Sequence, residues 1–444
     1  MWLQNKGISG RQGGVGKKGA KIKKVSARPI LDSRGKPTIY AEISTDGGVF
    51  SACVPSGAST GSHEAVELRD GGSRLGGAGV NKAVSNINNI ISKKVNGADC
   101  TDQRKIDEVL FSLDSTPNKA KLGANSMLAV SLAAARAGAA ASGLSLHAHL
   151  SALSMRKPVL PVPFLNFING GKHAGTENDF QEHMIVPFGF KSFSEALWAA
   201  SDVFTNLKKK VYSRFGYRGA LVADEGGFAP SFKQPEDRLA LLTTAIDEAG
   251  YSKKMGLALD CAASEFHHDG WYCLGRRKLS SNRLIDYYCK LVSDYKVVSI
   301  EDGLAEDDWL GWKELTLTLG RNTQLVGDDL LTTNPARIIK AIEEGAANAL
   351  LLKVNQIGTL SEAIDAALIS FSADWQVMVS HRSGETEDAF IADLAVGLGA
   401  GQVKFGSVAR SERCAKYNRL LGIESELGGR VAFAGITLRK KFGH

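Results

Sequence analysis

Six short apolar runs in the second half of this 444-residue chain each end on a residue able to do chemistry. MGLALD ends at Asp260, VVSIE at Glu301, QLVGD at Asp328, ALLLK at Lys353, QVMVSH at His381 and QVK at Lys404. After a first gap of 41 residues, the spacings are 27, 25, 28 and 23. An Asp after a strand is ordinarily a helix cap or turn residue, and a lone Lys there is ordinarily half of an ion pair. Three acids and two lysines brought into one ring go beyond that, because charges so close must pair, shift their pKa values or hold a metal. Asp260, Glu301 and Asp328 offer hard oxygen ligands of the kind Mg2+ takes, and no Cys or His cluster offers a softer site.

The spacing also names the elements that carry these residues. An interval of roughly 25 to 30 residues accommodates one strand, one crossover helix and two loops, which is the rhythm of a (β/α)8 barrel. Residues 156–444 therefore read as a barrel, with the charged ring at the C-terminal ends of its strands, where barrel active sites are built. Upstream, the alternation in TIYAEIST and GVFSACV predicts an antiparallel sheet, and the Ala- and Leu-rich run from Gly123 to Leu150 predicts packed helices. Residues 25–155 thus form an α+β domain, and KPVLPVPF, with Pro158, Pro161 and Pro163, resists helix and marks the junction.

Residues 1–24 are basic and glycine-rich, lack apolar periodicity and are expected to be a disordered leader. The GGVGKK stretch fails as a phosphate-binding loop, since Arg11 stands where that motif needs Gly and Lys18 where it needs Ser or Thr. No apolar core follows the leader's charges, as a secretory signal would require. The leader holds 7 of the 54 basic residues and no acid, leaving 47 basic against 47 acidic residues in the body. A neutral body argues against a nucleic-acid surface there. Nucleic-acid binding through the basic leader is retained as a secondary possibility, testable by a salt-dependent affinity. No apolar run is long enough to span a membrane. The six cysteines include no C-x-x-C pair and suggest neither a disulfide framework nor a zinc site, which fits a reducing, cytoplasmic setting.

Several segments match motifs of the enolase family in order. They are ARPILDSRGKPT and VPSGASTGSHEA in the first domain, then NGGKHAG, DFQEHMI, ADEGGFAP, ALDCAASEF, SIEDGLAEDDW, VGDDLLTTN, LLLKVNQIGTLSEA, SHRSGETED and GQVK. The chain resembles that family from about Lys24 to Leu427. It departs at Ala223, where Gly is usual, at His183, where an aromatic is usual, at Phe405-Gly-Ser-Val, and most from Gly428 onward.

The resemblance implies an N-terminal α+β domain followed by an enolase-type barrel, a homodimer, and a Mg2+-dependent dehydration of 2-phosphoglycerate to phosphoenolpyruvate. It implies two Mg2+ per active site, with Asp260, Glu301 and Asp328 on one and Ser59, in a mobile loop, on the second. Lys353 would be the base at C2 and Glu225 the acid at C3. His173, Gln181, Glu182, Ser380, His381, Arg382, Ser383 and Lys404 would bind substrate, and His63 would be loop structure able to make a catalytic contact. These residue types suit the reaction. Removing a proton beside a carboxylate creates a dianion that needs concentrated positive charge, and a Lys or His base with Mg2+ is the general pattern of enolase-superfamily sites. A free Lys, with a pKa of about 10.4, is too well protonated to be a base, so Mg2+ and Lys404 are expected to lower that of Lys353. A different superfamily dehydratase or racemase acting on a sugar acid fits Ser59 and the SHRS loop less well. A catalytically silent binding protein would not need Lys353, Glu225 and all three acids together.

Overall fold

The computed structural model describes residues 20–57 and 61–441. An antiparallel meander, β1 (Lys24–Leu31), β2 (Pro37–Thr45) and β3 (Gly48–Cys53), opens the chain. In β2 the alternation seen in the sequence becomes burial on one face, with Ile39, Ala41 and Ile43 fully enclosed. Against that face lies the helix Ala124–Ala141, buried along nearly its whole length. Such an all-round apolar helix is stable only inside a core, and its alanines let it fit between the sheet and the barrel.

The boundary expected at residue 24 lies inside this domain. Ala20 and Ile22 are buried, Ile22 N–H donates to Ala98 O at 2.9 Å, and Cys100 N–H donates to Ala20 O at 2.8 Å. The segment AKIKKV is a short amphipathic edge whose three apolar residues, Ala20, Ile22 and Val25, are buried between lysines, a pattern masked by the basic composition around it. The rest of the leader, residues 1–19, lies outside the described residues.

Eight strands close the barrel: β4 (Val162–Asn169), β5 (Glu182–Val186), β6 (Gly256–Asp260), β7 (Val297–Glu301), β8 (Gln324–Gly327), β9 (Ala349–Leu352), β10 (Gln376–Ser380) and β11 (Gly401–Lys404). Six neighbouring pairs are parallel, but β5 runs antiparallel to both β4 and β6. The β4 to β5 connection holds only one short 3-10 turn, Gly171–Ala174, and no crossover helix, so the chain must return beside itself. This reversal puts the first residue of β5, Glu182, level with the last residue of β6, Asp260. The 41-residue interval after Asp260 is filled by a small three-stranded sheet (His267–His268, Trp271–Leu274, Arg277–Leu279) before the helix Ser281–Tyr295.

Low in the barrel, Gln324 and Gln402 exchange two side-chain hydrogen bonds of 2.8 Å, satisfying both buried amides. Near the mouth the two domains share backbone pairing: Ser56 and Gly384 exchange hydrogen bonds of 2.7 and 2.9 Å, and Ser33 N–H donates to Glu385 O at 2.7 Å. All six cysteines are free thiols. Among the described residues no single helix is long and apolar enough to cross a membrane.

Candidate active site

The ring predicted from the apolar runs is present at one end of the barrel. Asp260, Glu301, Ser380 and Lys404 are the last residues of β6, β7, β10 and β11, while Asp328, Lys353 and His381 each follow a strand by one residue. Glu225 comes from the loop between the helices Phe193–Gly219 and Pro235–Glu248. A turn closed by Gly226 N–H to Ala223 O (3.0 Å) and Ala223 N–H to Gly227 O (2.8 Å) presents it. Gly226 sits at φ +84°, and a Cβ there would lie 2.3 Å from Ala409 O, so this turn requires glycine.

His173, Gln181, Glu182, Glu225, Asp260, Asp328, Lys353, Ser380, His381, Arg382, Ser383 and Lys404 line one cavity of about 20 Å³, room for about one water. Glu301 lies behind Lys404. Ser59 lies outside the described residues. His63 is not part of the cavity; its imidazole is partly exposed and faces Asp307 at 3.1 Å.

The two lysines hold the ring together. Lys404 Nζ lies 2.8 Å from both Asp260 Oδ2 and Glu301 Oε1, and 3.3 Å from Glu182 Oε1. Burial pulls its pKa down, but these carboxylates hold it well above the ordinary lysine value. Lys353 Nζ donates to Asp328 Oδ2 at 2.5 Å, and Gln356 Nε2 donates to the other oxygen at 2.8 Å. Burial again pulls down, yet Asp328 leaves the net Lys353 pKa raised. In the protein alone the nearest charge to Lys353 is this carboxylate, whereas the lowering expected from Mg2+ and Lys404 concerns the metal-bound site.

Across the cavity, His173, Glu182 and Glu225 bring ligating atoms within 4.8 Å of one another. Two buried carboxyls so close cannot both ionise freely. Burial and the charge of Glu225 push Glu182 well above the carboxylate range. Burial also raises Glu225, but His173, His381 and Arg413 more than offset this and hold it well below. The two carboxyls therefore do not titrate independently of each other. Asn166 Nδ2, from β4, donates to Glu225 Oε2 at 3.2 Å.

Arg382 spreads its guanidinium on Glu64, with Nη1 to Oε2 at 2.9 Å and Nη2 to Oε1 at 3.2 Å. That fork is the geometry a phosphate or carboxylate of a ligand would use. Ser383 Oγ lies 3.5 Å from His173 Nε2.

The donor set suits a hard cation. Glu301 Oε2 and Glu182 Oε2 are buried with no hydrogen-bond partner, a costly state that a bound cation would relieve. Asp302, Asp328 and Asp329 form a second close acidic group. Here Asp302 fixes the loop by accepting the N–H groups of Asp328 (2.9 Å) and Asp329 (2.8 Å). Asp260, Glu301 and Asp328 are spread around the two ammonium groups rather than gathered on one point, since Lys404 and Lys353 serve as their counter-ions.

Asn166, Glu64, Asp302 and Arg413 were not singled out from the sequence. Asn166 lies in a strand hidden behind the proline-rich junction, and the other three act through contacts that join segments far apart in the chain.

Residues 157–442 match the family model described as enolase, C-terminal TIM barrel domain, and residues 22–150 match the enolase N-terminal domain. The chain is 53% identical over 425 residues to an enolase of Thermococcus gammatolerans, covering 95% of this chain and 98% of that one. It is 54% identical over 418 residues to an enolase of Methanopyrus kandleri, covering 93% and 97%. To an enolase of Thermococcus kodakarensis it is 53% identical over 425 residues, covering 95% and 98%.

Proposed function

The chain belongs to the enolase family and is a hydro-lyase, and from that premise we propose that it reversibly removes water from 2-phosphoglycerate to give phosphoenolpyruvate, with Lys353 as base and Glu225 as acid. The observation that carries the role assignment is the placement of these groups around one cavity. In the closed order of eight strands, β9, which delivers Lys353, is four strands from β5, which delivers Glu182 beside Glu225. The lysine and the carboxyl pair of Glu182 and Glu225 thus stand on opposite sides, so that the C2 proton and the C3 hydroxyl leave toward different walls.

Lys353 takes the C2 proton. Lys404, fixed as an ammonium by its carboxylate neighbours, stands where negative charge grows on the substrate carboxylate. Glu225 donates to the departing hydroxyl, with Glu182 and His173 beside it. Arg382 exchanges its Glu64 partner for the phosphate, and Ser383 and His173 border the same space. Asp260, Glu301 and Asp328 would hold Mg2+, which supplies further positive charge against the dianion. Ser59 would serve a second ion.

The test is the ultraviolet absorbance of phosphoenolpyruvate formed from 2-phosphoglycerate, with Mg2+ and with chelator. Turnover that needs the metal is expected. Turnover undiminished in chelator would remove the metal assignment, and no turnover in either would remove the substrate.

A cytoplasmic homodimer belongs to the same reading. A groove of about 650 Å³ runs between β1, β2 and the barrel segment 385–389, with Leu31 exposed beside it. Sedimentation as a strict monomer at assay concentration would count against the dimer.

A further inference from the structure

Arg413 stands in the first turn of the helix Ser411–Leu427 and is fully buried, yet the reaction above gives it no task. Enclosing a guanidinium is costly unless its donors are used. Four of its contacts are short and all converge on the active site. Nη1 donates to His381 Nδ1 at 2.6 Å and to Arg382 O at 2.6 Å; Nη2 donates to Asp224 O at 3.0 Å and to Ser383 O at 2.5 Å. Glu412 supplies a carboxylate 3.4 Å from Nε. One side chain therefore ties the backbone beside Glu225 to the backbone of the His381-Arg382-Ser383 loop.

The contact with the imidazole carries more information than the others. Guanidinium is a donor only and keeps its charge in proteins. A ring nitrogen facing it at 2.6 Å must accept, so Nδ1 of His381 carries no proton. A second proton would make the ring an imidazolium with Nδ1–H pointed at Arg413, a clash of both charge and hydrogen. Burial likewise pushes His381 down, to about 3, with Glu225 opposing and Arg413 and Lys404 adding to the push. Neutral His381 has one proton left to place, and Nε2 is the remaining position. That atom is buried, lies 3.4 Å from Glu225 Oε2, has no hydrogen-bond partner, and borders the cavity.

We propose that Arg413 is a positioning residue that locks His381 in the tautomer protonated at Nε2, making it a fixed hydrogen-bond donor aimed at Glu225 and the leaving oxygen. His381 then cannot be a proton acceptor during turnover. Its place is held from a second direction by Gly406, where a Cβ would lie 3.0 Å from both Arg413 Cδ and His381 Cε1. The proposed role in catalysis rests on the dehydration reading, whereas the tautomer does not.

The two can be tested apart. In full-length protein carrying ring-15N histidine, without substrate, the His381 resonances are identified by their loss in His381→Gln. At pH 7 they are expected to show a proton on Nε2 and an accepting Nδ1. Nδ1–H, or an imidazolium, would overturn the proposal whatever the enzyme turns over. In Arg413→Ala the Nδ1–H form is expected to appear. A tautomer unchanged in that variant would assign Arg413 a purely structural role and also overturn it. Should that variant not fold, a second pair decides. Gln places an amide donor near the position of Nε2, while Asn places an acceptor near that of Nδ1 but no donor toward Glu225. His381→Gln should retain about tenfold or more turnover relative to His381→Asn, the scale of one hydrogen bond to a charged group. The reverse order would refute a donor role. If the parent makes no phosphoenolpyruvate while the labelled spectrum shows Nε2–H, the substrate reading falls and the tautomer assignment stands.

Discussion

At the residue scale, Lys353 and Glu225 can be separated because loss of the C2 proton need not be followed by loss of the C3 hydroxyl. Lys353→Ala should lose both phosphoenolpyruvate formation and exchange of the C2 proton with deuterated solvent. Glu225→Gln retains Lys353, Lys404 and the acidic ring, so exchange should persist while dehydration falls about 10²-fold or more, the contribution typical of a general acid. Exchange lost in Glu225→Gln but kept in Lys353→Ala would swap the roles. Lys353 was legible in the sequence because it ends an apolar run at a barrel-like interval, whereas Glu225, in a loop between two helices, was reached only through the ADEGGFAP motif of the family. What the sequence could not carry was their partners. The raised pKa of Lys353 follows from a carboxylate 25 positions away, and the fork of Arg382 on Glu64 spans 318 positions. No local pattern encodes either contact.

At the element scale, β6 to β11 were visible as apolar runs ending in charge, but β4 and β5 were not. β4 is buried at every residue and contains Pro163, so it shows neither alternation nor an ordinary strand composition. β5 begins with its functional residue, because it runs against its neighbours. The short edge at Ala20 and Ile22 was hidden by lysines, and its burial makes it part of the folded core. Ile22→Ala should destabilise the protein by about 2 kcal/mol or more, the cost of emptying a well-packed aliphatic site, read as a lower urea midpoint. An unchanged midpoint would mean that this edge adds nothing to the core. The turn after β11 is constrained more tightly. Gly406 has φ +83°, and a Cβ there would stand 2.7 Å from Glu225 O. Gly406→Ala should therefore cut turnover about tenfold to a hundredfold by displacing the acid's backbone, since shifts near 1 Å can cost that much. Steady-state kinetics at saturating substrate would show it, and full turnover would mean the loop absorbs the methyl without moving Glu225.

At the scale of the whole molecule, a single carboxyl group clamps the N-terminal domain onto the barrel beside the site. Asp388 follows the barrel loop that carries Arg382 and Ser383, and it accepts from Arg136 Nη1 at 2.8 Å and Nη2 at 2.6 Å. It also accepts from Cys53 N–H at 2.9 Å and Phe390 N–H at 2.8 Å. Burial raises its pKa, but the charge and hydrogen bonds of Arg136, with the two backbone donors, bring the net value below the ordinary one. In the unfolded chain the same group titrates near about 3.9. The native state thus binds fewer protons than the unfolded chain between the two pKa values. The stabilisation is fully present above the unfolded pKa and is lost as pH falls through the folded one. Asp388→Asn removes this linkage and leaves Arg136 without its counter-charge, at a cost of about 3 kcal/mol, the low end for breaking a buried pair because Arg136 is about a quarter exposed. Urea unfolding of parent and variant should show a gap that is constant from pH 5 to pH 8 and narrows below about pH 4. A gap that stayed constant through pH 3 would show that Asp388 acts by packing alone, and no gap at pH 7 would show that the shared backbone pairing at Ser56 and Gly384 is enough to hold the two domains together.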